Sequence, residues 1–84
     1  MNYRDLKVTL SVDDERLSLA GFVQKANEYE SAVYVETDGK KINAKSIMGM
    51  MSLGLLQDRP VRLIVNGNDE EEAMAGILEH LNIA

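Results

Sequence analysis

Ser46 has the clearest opening for chemistry in this sequence, because of the residues that follow it. The run Lys45-Ser46-Ile47-Met48-Gly49-Met50-Met51-Ser52-Leu53 puts a hydroxyl at the head of a short apolar stretch that Gly54 closes. This pattern predicts a helix opened by Ser46 and running to about Leu53. At a helix N-cap a serine hydroxyl accepts a hydrogen bond from an otherwise unpaired N–H of the first turn, so capping alone accounts for the residue. The same hydroxyl is a candidate phosphoacceptor. A phosphate there brings a charge of about −1.5 to −2 to the positive end of a helix, where the fold tolerates it. A helix this short cannot bury apolar side chains on every side. With Met50 and Leu53 turned to a core, Ile47, Met48 and Met51 stay outside, and flexible exposed methionines beside an isoleucine suit a docking surface. The competing reading is a tilt of the helix that buries more of them.

Other residues offer less. His80 is the one histidine. It falls in the last turn of a predicted helix, where the dipole favours a protonated imidazole, and a lone histidine builds neither a metal site nor a triad. Asp13-Asp14-Glu15 and Asp69-Glu70-Glu71-Glu72 stand at helix starts, where acidic side chains are stabilising and stay solvated. The absence of cysteine excludes disulfides and thiolate metal sites and is compatible with a cytoplasmic home. No cofactor and no metal are expected.

Regular elements must position these residues. Leu6, Val8, Leu10 and Val12 alternate with Lys7, Thr9 and Ser11, the period of a strand with one buried face. After Arg16 the period changes: Leu19, Phe22, Val23 and Ala26 form one stripe of a helix. Val33, Val35 and Thr37 mark a second strand, and Asp38-Gly39 is suited to a type I′ hairpin. Lys40 to Lys45 is the return strand, with Ile42 and Ala44 on one face. The Ser46 helix comes next, and Pro60 starts a last strand with Val61, Leu63 and Val65 aligned. Asn66-Gly67-Asn68 is a turn. Asp69 with Glu72 reads as a capping box for a final helix carrying Met74, Ile77, Leu78 and Leu81. The order is β-α-β-β-α-β-α. Helical crossovers keep their flanking strands parallel in direction and the hairpin reverses it, so strand order 1-4-2-3 makes every neighbour antiparallel. The expected fold class is α+β, a two-layer open-faced sandwich with three helices on one face of a four-stranded sheet.

With 84 residues the chain suffices for a single domain, 1–84, and not for a deep catalytic cleft, so no enzyme is expected. A net charge of −5 and a pI near 4.7 disfavour nucleic acid and anionic membranes as direct partners. Lys40, Lys41 and Lys45 are the only basic cluster. No apolar run reaches membrane-spanning length, and the first residues lack the pattern of a signal peptide.

The segment Lys41-Ile42-Asn43-Ala44-Lys45-Ser46-Ile47-Met48-Gly49-Met50-Met51-Ser52-Leu53 resembles the regulatory-serine segment of HPr proteins of the bacterial sugar phosphotransferase system, especially the catabolite-repression HPr subgroup. The stretch from Asn66 to Ala73 resembles the family's entry into its last helix, and Ala20-Gly21-Phe22-Val23 its first helix. The similarity spans nearly the whole chain and implies the HPr-like form of the sandwich. The family's carrier site is a histidine at the start of the first helix, followed two residues on by an arginine and then a proline. Matching Ala20 to Val23 puts Glu15 at the histidine, Leu17 at the arginine and Ser18 at the proline. A carboxylate does not relay phosphate as an imidazole does, and leucine has no guanidinium to hold it. The resemblance therefore implies a regulatory protein in carbon catabolite control, without histidine phosphocarrier activity.

It further implies Ser46 as the target of the ATP-dependent HPr kinase/phosphorylase. Ile47, Met48 and Met51 match positions that dock on that kinase and on the catabolite control repressor protein, and Leu17 replaces an arginine that contacts the repressor. Glu15 is either a favourable helix-end charge or a mimic of phosphohistidine. The usual glycine-containing turn before Glu15 is missing, which leaves room for a dimer that exchanges its first strand, as well as for a monomer. Two other readings stay open: an atypical phosphocarrier component working through a different residue, and a diverged HPr-fold binding module in which Ser46 is only a cap.

Overall fold

Residues 1–11, 18–54 and 56–82 are described by the computed structural model of the chain. Their elements are β1 (Asn2–Leu10), α1 (Leu19–Ala26), β2 (Ala32–Thr37), β3 (Lys40–Asn43), α2 (Ile47–Met51), β4 (Leu56–Asn66) and α3 (Glu70–His80), in the expected β-α-β-β-α-β-α order. The sheet order is β1-β4-β2-β3, and every pair is antiparallel. Asp38 (φ 52°) and Gly39 (φ 75°) turn β2 into β3 with both central residues left-handed, as a type I′ hairpin requires. Among the described residues no helix is long and apolar enough to cross a membrane.

Alternation along the strands decides what each face carries. Val8 and Leu10 of β1, Val33 and Val35 of β2, and Val61, Leu63 and Val65 of β4 point into one core. Leu19, Phe22, Val23 and Ala26 from α1, Met50 from α2, and Ala73, Met74, Ile77 and Leu78 from α3 close it from the helical side. The intervening strand residues face away from the helices, on the open face of the sandwich. One of them departs from the polar pattern: Ile64 is buried, although its cross-strand neighbours Tyr3 and Tyr34 lie on that same outer face. The Arg62 guanidinium stands 4.6 Å from the Tyr3 ring centre, and the Lys41 ammonium 4.6 Å from that of Tyr34. Aromatic rings capped by cations thus cover part of the open side.

Four expectations are corrected. β4 begins at Leu56, four positions before the proline taken as its start. Pro60 accepts a hydrogen bond at its carbonyl from the Thr37 hydroxyl (3.1 Å), so its backbone edge faces β2. The β2–β4 ladder extends only from Ala32↔Asn66 to Glu36↔Arg62, and the missing N–H therefore falls beyond it and forfeits no ladder bond. The strand reaches back to Leu56 through an irregularity between Val8 and Leu10, near Asp58 (φ 49°), whose N–H donates to Thr9 Oγ1 at 2.9 Å. The return strand and the Ser46 helix are both shorter than expected. β3 ends at Asn43, although the Ala44 N–H still donates to the Val33 carbonyl at 2.8 Å, and α2 ends at Met51 with Ser52 as its C-cap.

The fourth correction concerns Asp69. It occupies the N-cap of α3, but its side chain makes no capping bond, and the expected box with Glu72 does not form. Its backbone (φ −105°, ψ 27°) lies outside the extended region of a capping serine or aspartate. The carboxylate turns instead to the connection between α1 and β2. Oδ1 accepts from the Ser31 N–H (2.9 Å) and the Ser31 hydroxyl (2.5 Å), and Oδ2 from the Glu30 N–H (2.9 Å). The Ser31 hydroxyl first, and the Glu30 N–H second, hold the Asp69 carboxyl below the ordinary aspartate range.

Candidate functional site

Local hydrogen bonding explains why α2 starts at Ser46. Its backbone is extended (φ −102°, ψ 115°), and its hydroxyl accepts from the Gly49 N–H at 3.0 Å, as expected of an N-cap. The Ser46 carbonyl accepts the first helical bond, from Met50 N–H at 2.9 Å. At the other end the Ser52 hydroxyl donates to the Gly49 carbonyl (2.5 Å), and Gly54 (φ 68°) turns the chain away.

The helix has one inward anchor. Met50 is 0% exposed, whereas Ile47 is 41%, Met48 80% and Met51 54% exposed. Leu53 rests half-buried against the core. The division expected from the sequence is the one observed, and no tilt buries the outer residues. Gly49 permits the close seat of α2: a Cβ there would stand 3.3 Å from Ile42 Cγ2 and from both Cβ and Oγ of Ser46.

Sequence reasoning missed the residues that hold this corner in place. The Asn27 side-chain amide donates to the Val23 carbonyl (2.9 Å) and the Lys45 carbonyl (3.0 Å), which ties the end of α1 to the residue before Ser46. The Lys45 ammonium donates to the Tyr29 carbonyl at 2.6 Å, and the Lys45 N–H donates to Asn43 Oδ1 at 2.9 Å. The last contact was foreshadowed by Asn43 itself, since an asparagine two residues ahead of an N–H commonly forms such a turn. The basic cluster expected from Lys40, Lys41 and Lys45 is not one surface. Lys41 is stacked on Tyr34 across the sheet, and the Lys45 amine is taken up by a carbonyl.

At the start of α1, Ser18 is the N-cap, its hydroxyl accepting from the Gly21 N–H at 3.0 Å. Glu15 and Leu17, the positions matched to the carrier histidine and its arginine, lie outside the described residues. His80 ends α3 and is exposed, with Nε2 3.8 Å from the position a Cβ on Gly21 would take. Among the described residues no group of three or more His, Asp or Glu side chains is arranged to hold a metal ion. What the α2 corner offers chemically is a half-buried hydroxyl beside three exposed apolar side chains, on a helix fixed from behind.

Comparison with known proteins agrees with the fold. The family model described as "PTS HPr component phosphorylation site" matches residues 6–82. The HPr-like protein Crh of Halalkalibacterium halodurans is 44% identical over 75 residues, 89% of each chain. The crystal structure of HPr-C-His from Thermoanaerobacter tengcongensis superposes with a TM-score of 0.86 at 38% identity, covering 98% of this chain and 92% of that one. That of Bacillus subtilis Crh, described as a swapped, intertwined dimer, gives a TM-score of 0.71 at 41% identity over 89% of this chain and 84% of its own.

Proposed function

The chain belongs to the HPr family, on its Crh side, and from that premise we propose that it is a cytoplasmic regulator of carbon catabolism switched by phosphorylation of Ser46. An HPr-like regulatory role is what its Crh relatives support. The specific reading rests above all on one observation: a capping hydroxyl stands next to exposed Ile47, Met48 and Met51 on a helix anchored by buried Met50. HPr kinase/phosphorylase docks on the apolar trio and transfers phosphate from ATP to Ser46 Oγ. The phosphorylated corner then presents a charged, multidentate acceptor beside an apolar anchor, a combination suited to an arginine on a partner such as the catabolite control repressor protein. Glu15 and Leu17, in place of histidine and arginine, leave no imidazole at the carrier position to relay phosphate and no guanidinium two residues on to hold it. The protein forms one domain over residues 1–84, catalyses nothing itself, needs no cofactor and binds no nucleic acid or membrane directly. It exists as a monomer or as a dimer that exchanges β1.

Incubation with HPr kinase and ATP, read by intact mass, tests this reading. The expected result is a single phosphate that is absent from the Ser46→Ala variant. No phosphate on folded protein would reduce Ser46 to a helix cap.

A further inference from the structure

We propose that Met48 and Met51 are sites of reversible oxidation by peroxides, and that their sulfoxides close the docking patch beside Ser46 without unfolding the protein. The proposal rests on the reading of Ile47, Met48 and Met51 as the docking surface. The chain has five methionines, and the fold sorts them sharply. Met50 and Met74 are sealed in the core. Met48 and Met51 stand exposed on α2, one on either side of Met50 in the sequence, while Met1 is exposed ahead of β1 and is no part of the patch. Two of the three side chains that would carry docking are therefore oxidisable thioethers in contact with water.

The chemistry needs only the oxidant. A lone pair on the thioether sulfur attacks the nearer oxygen of the peroxide, the O–O bond breaks, and hydroxide departs with the bond's electrons. The proton on the sulfur-bound oxygen passes to that hydroxide, leaving sulfoxide and water; sulfur is oxidised and the peroxide reduced. A sulfoxide is polar and well hydrated, so it withdraws the apolar area that an anchor must bury.

The helix does not depend on the side chains that change. α2 is held by the Ser46 Oγ bond to the Gly49 N–H, by Met50 in the core, and by the ties from Asn27 and Lys45 behind it. Oxidation therefore alters the surface and spares the element. Methionine sulfoxide reductases regenerate the thioether, which makes the change reversible.

The test exposes the folded full chain to dilute hydrogen peroxide, removes the oxidant, maps each methionine by peptide mass and then measures phosphorylation by HPr kinase. Oxygen is expected on Met48, Met51 and Met1 and not on Met50 or Met74, with an unchanged far-ultraviolet spectrum. The KM for the kinase should rise about tenfold, the size expected when one apolar anchor is lost. Reductase treatment should restore it. The Met48→Leu/Met51→Leu variant, compared only with its own untreated rate, should be insensitive to peroxide, whereas Met1→Leu should respond as the native chain does. Equal kinetics before and after oxidation of Met48 and Met51 overturn the proposal, as does loss of helical signal on oxidation. A chain that is not phosphorylated even before oxidation removes the Ser46 reading and this proposal with it; a chain phosphorylated equally in both states removes this proposal alone.

Discussion

At the scale of single residues, two polar contacts make separable predictions. Ser46→Ala removes the acceptor of the Gly49 N–H and should cost about 1 kcal/mol of stability, read as a lower urea midpoint with an unchanged slope. Capping and the proposed phosphorylation call on the same oxygen, and the cost of the variant measures the first role independently of the second. Asp69 makes the other prediction, through pH. Its carboxyl titrates lower in the folded chain than in the unfolded one, so its contribution is fully present above the ordinary aspartate range and disappears as acid carries the pH down through the lowered value. Denaturation midpoints taken from about pH 5 downward should fall, and Asp69→Asn should fall less steeply over that window. An equal slope in both proteins would assign the acid sensitivity elsewhere, with Asp5 and Glu70 the next carboxylates held low. Met50 facing inward was legible in the sequence, because the helical period left few other choices. The bond from Asp69 to Ser31 was not, because it joins residues 38 positions apart and no local pattern encodes it.

At the scale of elements, the connection from β4 to α3 is pressed against the connection from α1 to β2. A Cβ on Gly67 would lie 2.6 Å from Ser31 Oγ, 2.7 Å from its Cα and 2.9 Å from its Cβ. Because backbone is among the atoms in the way, no rotamer change relieves the overlap. Gly67→Ala should therefore destabilise by ~2 kcal/mol, in the range of core overpacking, and should also disturb the Asp69 contacts. Thr37→Val addresses β4 from its other side. It keeps the shape of a buried residue and deletes the hydroxyl that donates to the Pro60 carbonyl, for a loss of about 1 kcal/mol in chemical denaturation. Strands and helices with a clean period were read to within a few residues. The start of β4 was missed because Gln57-Asp58-Arg59-Pro60 has the composition of a loop, and only pairing with β1 makes a strand of it.

For the molecule as a whole, the strand order was legible because crossovers and a hairpin leave few ways to keep neighbours antiparallel. Its oligomeric state was not. Among the described residues β1 is an edge strand bonded to β4 alone, and it supplies Val8 and Leu10 to the core. Those contacts are the same whether the strand comes from its own chain or from a neighbour, so no local pattern distinguishes the two. Sedimentation velocity at rising concentration should show monomer giving way slowly to dimer, since β1 must first leave β4; a purely monomeric chain at the highest attainable concentration would remove the exchanged form. The five residues of α2 have one more consequence. Such a segment is far below the roughly 12–15 residues that an isolated helix needs to persist in water, and its posture depends on Asn27 and Tyr29, distant in the sequence. Synthetic peptides spanning Ser46 should therefore make poor substrates and poor competitors, and antibodies raised against them should recognise the denatured chain better than the native one.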